Sequence, residues 1–182
     1  MSGWLSGPRD SRPLGHSAID GGGDPFSGAR VVSVARFEPA AGMQGEALDS
    51  YKRRFGTLFV DDSTRRRGGI GSVVRATNVL GEQFALKTLV IPERDERASD
   101  AEYERYEAGL KTAFRQEFEC HKAVSGLKGF PHLYGMGEVA GTPAIVMEWV
   151  CGETLAHVCD TLAVDGVGRM PTLVAAQIGR DV

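Results

Sequence analysis

A long amphipathic helix is the strongest structural signal in this sequence, and it limits the folds that the chain can adopt. Ser99 and Glu102 have the spacing of a capping box, which marks the first turn of a helix. Apolar side chains then recur at helical spacing until about Val124. The stripe contains Tyr103, Tyr106, Leu110, Ala113, Phe114, His121 and Val124. A helix of this length needs a second layer against which to pack its apolar face.

Short β-like runs on both sides of the helix predict that second layer. Three runs precede it, at residues 55–60, 72–77 and 83–89, with Gly81 and Glu82 closing a hairpin. Two follow it, at residues 133–139 and 144–149, joined by a turn at residues 141–143. Residues 155–158 indicate a short helix, and a last helix is predicted to open near Pro171. We therefore predict an α+β fold with a five-stranded antiparallel sheet and one long helix.

The N-terminal part of the chain has a different composition. Its first 47 residues hold nine of the 24 glycines and four of the eight prolines. Because ordering such a chain costs much entropy and buries little apolar surface, we predict a disordered Gly/Pro-rich tail over residues 1–50. Residues 31–37 are its only β-like segment.

Charge and hydropathy exclude some partners. Lys plus Arg is 21 against Asp plus Glu 24, a formal charge of −3, which gives no reason to expect binding to nucleic acid or to an anionic membrane. The apolar runs are too short to cross a bilayer, and no apolar stretch follows Arg9 and Arg12. We expect a cytoplasmic protein without a membrane anchor.

Cysteine usage agrees with a reducing compartment. The three cysteines form no CxxC pair and are odd in number. Cys151, His157 and Cys159 could be metal ligands, but a fourth ligand with suitable spacing is missing. We therefore predict no metal site.

A glycine-rich turn between the first two strands is the first candidate for binding chemistry. Gly68, Gly69 and Gly71 would let backbone amides approach a phosphate closely, because no Cβ intervenes. An ordinary hairpin turn explains these glycines equally well. No Lys-Ser or Lys-Thr follows to form a Walker A loop.

Lys87 in the third strand is the second candidate. Strand alternation places Ala85 and Lys87 on one face. A small residue leaves room for a flat ring there, and the ammonium two positions on would lie where phosphates could bind. The alternative is a lysine that extends from the strand into solvent.

Glu117 is the third candidate, because it falls within the apolar stripe of the long helix. An inward carboxylate is costly unless a cation meets it, and Lys87 is the natural partner since the helix must pack back onto the sheet. The alternative is a slightly rotated stripe with Phe118 inside and Glu117 at its rim.

In order and spacing, these residues resemble the N-terminal lobe of protein kinases, closest to bacterial serine/threonine kinases. Gly68, Gly71 and Val73 match the Gly-rich loop, and Gly69 lies within it. Ala85 and Lys87 match the strand lysine motif, and Glu117 matches the paired glutamate of helix C. Residues 130–133 are similar to the turn into strand four.

Residues 145–155 are similar to the fifth strand, gatekeeper and hinge of that family. The resemblance makes Met147 the gatekeeper and implies that the backbone of Glu148 and Val150 bonds the adenine edge, with Glu153 near the ribose. It also implies a kinase-like N-lobe over residues 51–150, with the hinge exit and an incomplete start of the C-lobe over residues 151–182. ATP is then the expected cofactor.

The sequence also departs from the family pattern. Arg66 takes the place of the first loop glycine, residues 93–107 form a charged insertion, and no HRD or DFG motif occurs in the 182 residues. The resemblance therefore implies transfer from ATP to protein hydroxyls only if a C-lobe polypeptide completes the site, with Mg²⁺ bound only then. Two alternatives stay open: a non-catalytic, pseudokinase-like module that binds a protein partner, and a gene remnant.

Overall fold

The computed structural model describes residues 28–41 and 45–164. The elements, in chain order, are β1 (Arg30–Pro39), α1 (Glu46–Phe55), β2 (Thr57–Arg67), β3 (Gly71–Thr77), β4 (Gln83–Leu89), α2 (Asp100–Val124), β5 (Leu133–Val139), β6 (Thr142–Glu148) and α3 (Leu155–Val164). The fold is α+β, as predicted. The helix expected near Pro171 lies outside the described residues.

The strands form one closed antiparallel barrel in the order β1-β2-β3-β4-β6-β5. The predicted sheet of five strands was therefore wrong by one strand. β1 supplies the sixth, and it closes the sheet because its first half pairs with β2 and its second half with β5.

β1 lies inside the stretch that was predicted to be a disordered tail, so that prediction was wrong for residues 30–39 and for the start of α1. The strand buries Val32, Val34 and Phe37 in the barrel. This burial of apolar surface stabilises β1, although the sequence around it is rich in glycine. Its alternation shifts by one residue because Arg36, at φ 51°, forms a bulge. The bulge turns Phe37 inward in place of Arg36.

Helix α1 covers one end of the barrel. Phe55, predicted to start a strand, is instead the last residue of α1, and its ring is fully buried. Tyr51, one helical turn earlier, donates its hydroxyl hydrogen to the carbonyl of Tyr134 over 2.9 Å. Burial raises the pKa of Tyr51 to about 12, so the hydroxyl stays protonated as a donor. Together the two rings join α1 to the barrel interior.

Helix α2 begins at the capping box that the sequence predicted. The hydroxyl of Ser99 accepts from the amide of Glu102, and the carboxylate of Glu102 accepts from the amide of Ser99. Phe114 and Phe118 are completely buried and dock the helix on the outer face of the barrel. They pack there with Leu89, Leu133 and Ile145. The predicted helix, its start and its end are confirmed.

The remaining connections are two hairpin turns and a short helix, all of which were predicted near these positions. The β3–β4 hairpin turns at Gly81, which has φ +80°. The β5–β6 turn uses Ala140 and Gly141, both with positive φ, so Thr142 and Pro143 belong to β6 and not to the turn. The short helix predicted at residues 155–158 is α3. None of the described helices is both long and apolar enough to cross a membrane.

Asp62 in β2 gives a pH-dependent contribution to stability. It accepts hydrogen bonds from Arg30 and Arg65, and these bonds lower its pKa from 3.8 to about 2. Because the folded pKa is depressed, this stabilisation is complete above about pH 4 and is lost as the pH falls toward 2. Unfolding free energies should therefore differ between wild type and Asp62→Asn at pH 5, and the difference should shrink toward pH 2. A difference that stays constant over this range contradicts the assignment.

Candidate functional site

The predicted site residues of the strands share the outer face of the barrel. Val73 of β3 lies opposite Lys87 of β4, and Ala85 lies opposite Met147 of β6. Their neighbours Leu86 and Val146 point into the barrel core. The predicted alternation of Ala85 and Lys87 with Phe84 and Leu86 is therefore confirmed.

Lys87 and Glu117 form the predicted ion pair between β4 and α2, through Nζ and Oε1. The lysine side chain is 18% exposed and the glutamate 41%. The lysine does not extend freely into solvent. Glu117 lies at the rim of the buried stripe of α2, beside the fully buried Phe118. The alternative expectation, with Phe118 inside and Glu117 at the rim, therefore describes the position of the carboxylate.

Gly71 makes room for this ion pair. A Cβ at this position would lie 2.9 Å from the carbonyl oxygen of Thr88 and 3.2 Å from Cε of Lys87. It would also approach the ring of Phe114 at 3.6 Å. Any larger residue would push against the β4 backbone and against the lysine side chain that reaches toward α2. The glycine is therefore required by close packing.

The other two glycines form the tight turn between β2 and β3. The amide of Gly68 donates to the carbonyl of Gly71 over 2.8 Å. Space is open around Gly69, and none of the three glycines has a positive φ. The ability of glycine to adopt positive φ is therefore not used at these three positions. Arg66 is part of β2, where it pairs with Val73.

The predicted hinge residues lie at the end of β6 and in the segment between β6 and α3. Met147 is partly buried beside the α2 cluster. Glu148 ties β6 to the start of β5, because its amide donates to the carbonyl of His132 and its carboxylate accepts from the amide of His132. Val150 lies beyond the strand and is 62% exposed. Glu153 pairs with His157, 3.7 Å away, and does not contact Lys87.

Two cavities border this face. One of about 200 Å³ separates the Gly68–Gly71 turn from the first half of α2, where Tyr106 and Leu110 line it. A larger one of about 600 Å³ continues the outer face toward the β3–β4 hairpin. It includes Phe59, Asp61, Arg75, Thr77 and Gln83. No sequence motif marks these residues, although Arg75 and Thr77 alternate with the buried Val74 and Ala76.

The larger cavity is lined by charges of both signs, those of Arg75, Asp61 and Asp62. The guanidinium of Arg75 donates to the carboxylate of Asp61 at 2.6 Å, and the hydroxyl of Ser63 also donates to that carboxylate. The bonds from Ser63 and Arg75 hold the pKa of Asp61 below its usual value. The arginine is therefore already neutralised by its neighbour.

No arrangement for a metal ion is present among the described residues. Within residues 28–41 and 45–164, no three His, Cys, Asp or Glu side chains are grouped closely enough to hold one. Cys120, Cys151 and Cys159 are free thiols exposed to solvent.

The geometry thus brings an ammonium and a carboxylate together on the outer face of the barrel, beside a glycine turn. The same face carries a shelf that is formed by the buried Ala85 and the partly exposed Val73 and Met147. Comparison with known proteins adds no family assignment: no protein-family model matches the chain, and no curated protein matches its sequence.

Proposed function

We propose that this chain is the ATP-binding lobe of a serine/threonine protein kinase. The observation that carries the proposal is the Lys87–Glu117 ion pair beside a partly exposed shelf. Kinase catalysis requires a strand lysine held by a helix carboxylate, so that the ammonium can meet nucleotide phosphates. Ala85 and Val73 supply the small apolar surface on which a purine ring could lie.

The residues present fit ATP in several respects. Lys87 would hold phosphate oxygens while Glu117 fixes its direction. Gly71 leaves space beside Lys87 that a Cβ would fill. Past Met147, Val150 is 62% exposed, and its backbone would bond the edge of an adenine. Glu153, which pairs with His157, is the least supported of the proposed ligands.

Transfer to an acceptor hydroxyl needs groups that this sequence does not contain. The catalytic Asp of the HRD motif and the Mg²⁺-binding side chains would have to come from a C-lobe polypeptide. Mg²⁺, when bound there, would neutralise phosphate charge. The role of the described residues is therefore to bind and orient the nucleotide.

Binding of a fluorescent ATP analogue to the 182-residue chain tests the proposal. We expect saturable binding that Lys87→Ala weakens about 10- to 100-fold, because a charge-assisted hydrogen bond to phosphate is lost. Glu117→Ala should weaken binding less, since the ammonium remains but is no longer fixed. Dissociation constants should be compared at one ionic strength.

Lys111→Ala is the matched control, because Lys111 pairs with Glu107 within α2, away from the shelf. It should leave the dissociation constant unchanged. Equal weakening by Lys111→Ala and Lys87→Ala would indicate nonspecific charge attraction. A complete lack of saturable binding would contradict the proposal and favour the protein-binding module.

A further inference from the structure

Two ion pairs lie on opposite edges of the buried stripe of α2. Each residue of an α-helix advances about 100° around the axis. Relative to the buried Phe114, Glu117 therefore lies about 60° to one side and Arg115 about 100° to the other. Glu117 meets Lys87 of β4, and Arg115 meets Glu38 of β1. The helix is thus held to the barrel by charges on both sides of its apolar contact.

The contact between Arg115 and Glu38 is bidentate. Nη1 of Arg115 lies 2.7 Å from Oε2 of Glu38, and Nη2 lies 3.0 Å from Oε1. The guanidinium also lies over the ring of Phe118, with its carbon 5.1 Å from the ring centroid. Hydrogen bonds from Arg115 lower the pKa of Glu38, so its carboxylate is ionised at neutral pH. The fork geometry gives this pair a defined direction.

Glu38 is a firm anchor because the strand around it is fixed on both sides. Phe37, the preceding residue, is buried in the barrel core. The amide of Ala40, two residues further on, donates to the carbonyl of Tyr134 over 2.9 Å. Any movement of Glu38 therefore requires movement of the barrel wall.

Apolar packing does not fix the rotation of a helix closely, since the hydrophobic effect is not directional. If the Arg115–Glu38 pair is lost, α2 can turn about its axis while Phe114 and Phe118 remain covered. Such a turn moves Glu117 relative to Lys87. A contact on β1 can therefore control a contact on β4.

We propose that Glu38 and Arg115 are positioning residues, through which β1 holds α2 at the rotation that keeps Glu117 on Lys87. The consequence for nucleotide affinity rests on the proposed function. The coupling between the two ion pairs does not, because it concerns only side chains of this chain.

The side-chain ammonium of Lys87 gives a direct readout of this coupling. In the full chain labelled with ¹⁵N-lysine, the Lys87 signal can be assigned by its loss in Lys87→Arg. We expect Glu38→Gln to shift or broaden this signal, because hydrogens of a less firmly paired ammonium exchange faster with water. Glu38→Asp, which keeps the charge, should restore it in part. An unchanged Lys87 signal in Glu38→Gln overturns the proposal.

Glu138→Gln is the matched control, because Glu138 of β5 pairs with Arg36 of β1 without touching α2. It removes one ion pair of the same strand and should leave the Lys87 signal in place. An equal effect of both variants would indicate general loosening of β1 and would also overturn the proposal.

Affinity for the fluorescent ATP analogue separates this inference from the proposed function. If both hold, Glu38→Gln raises the dissociation constant about two- to fivefold, as expected for a partly exposed ion pair acting at a distance. If wild type binds no analogue but the Lys87 signal still responds to Glu38→Gln, the ATP proposal fails and the positioning role stands.

Discussion

Replacing Phe55 by alanine is expected to lower the free energy of unfolding by about 3–5 kcal/mol, the range for removing a fully buried phenylalanine. The side chain is 0% exposed. Its ring contacts four aromatic rings at centroid distances of 4.7–5.3 Å, those of Phe37, Tyr51, Phe84 and Tyr134. Truncation therefore leaves a large cavity where α1 closes the barrel, and rigid rings cannot easily fill it.

Denaturant unfolding of wild type, Phe55→Ala and Phe130→Ala measures this effect. Phe130 follows α2 in a loop and is 50% exposed, so its removal should change stability by no more than about 0.5 kcal/mol. A loss below about 1 kcal/mol for Phe55→Ala would mean that the site collapses easily. In that case α1 would not be an integral part of the barrel core.

Phe55 also shows why part of the fold was not predictable from sequence. Its neighbours Leu58 and Val60 alternate as a strand should, which led to a strand prediction from residue 55, although Leu48, Tyr51 and Phe55 recur at helical spacing. The helix is stabilised by tertiary contacts of Tyr51 and Phe55 with rings distant in sequence. Local propensity cannot reveal such contacts.

The same limit applies to β1. Its alternating valines at positions 32 and 34 were visible as a β-like segment, yet glycine and proline around them indicated disorder. What stabilises β1 is closure of the barrel through pairing with β2 and β5, a long-range effect. The bulge at Arg36 then conceals the inward direction of Phe37, because it breaks the simple alternation.

The ion pair between Lys87 and Glu117 could be predicted from the sequence, for a physical reason. A carboxylate at the edge of the apolar stripe of a strongly patterned helix favours a cation as partner, and Lys87 lies on the strand that precedes the helix. The Arg115–Glu38 pair had no such signal. Both residues are half exposed, and 77 residues separate them. Polar residues on a surface leave their partners undetermined in the sequence.

The same change, glycine to alanine, is expected to have opposite effects at two positions. At Gly135 of β5, a Cβ would lie 2.4 Å from the carbonyl oxygen of Glu38 and 2.6 Å from Cζ of Phe37. Both are parts of β1, and one is backbone, so β1 must move away from β5. We expect Gly135→Ala to cost about 3 kcal/mol, near the upper end of the range for overpacking. Gly109→Ala in α2 should instead stabilise the protein by about 0.5–1 kcal/mol, because its Cβ meets nothing within 4 Å and alanine favours the helix.

Thermal or denaturant unfolding of the two variants and of wild type measures the expected loss of stability in Gly135→Ala and the expected gain in Gly109→Ala. Two variants of equal stability would show that β1 accommodates the methyl group, and the barrel would then not depend on close approach of β1 and β5.

Gly135→Ala should also affect helix α2, because the displaced backbone atom belongs to Glu38. Moving its backbone moves the carboxylate that holds Arg115, so Gly135→Ala should disturb the Lys87 ammonium signal as well, while Gly109→Ala should not. Glu38 of β1 therefore contributes both to the close contact between β1 and β5 and to the orientation of α2.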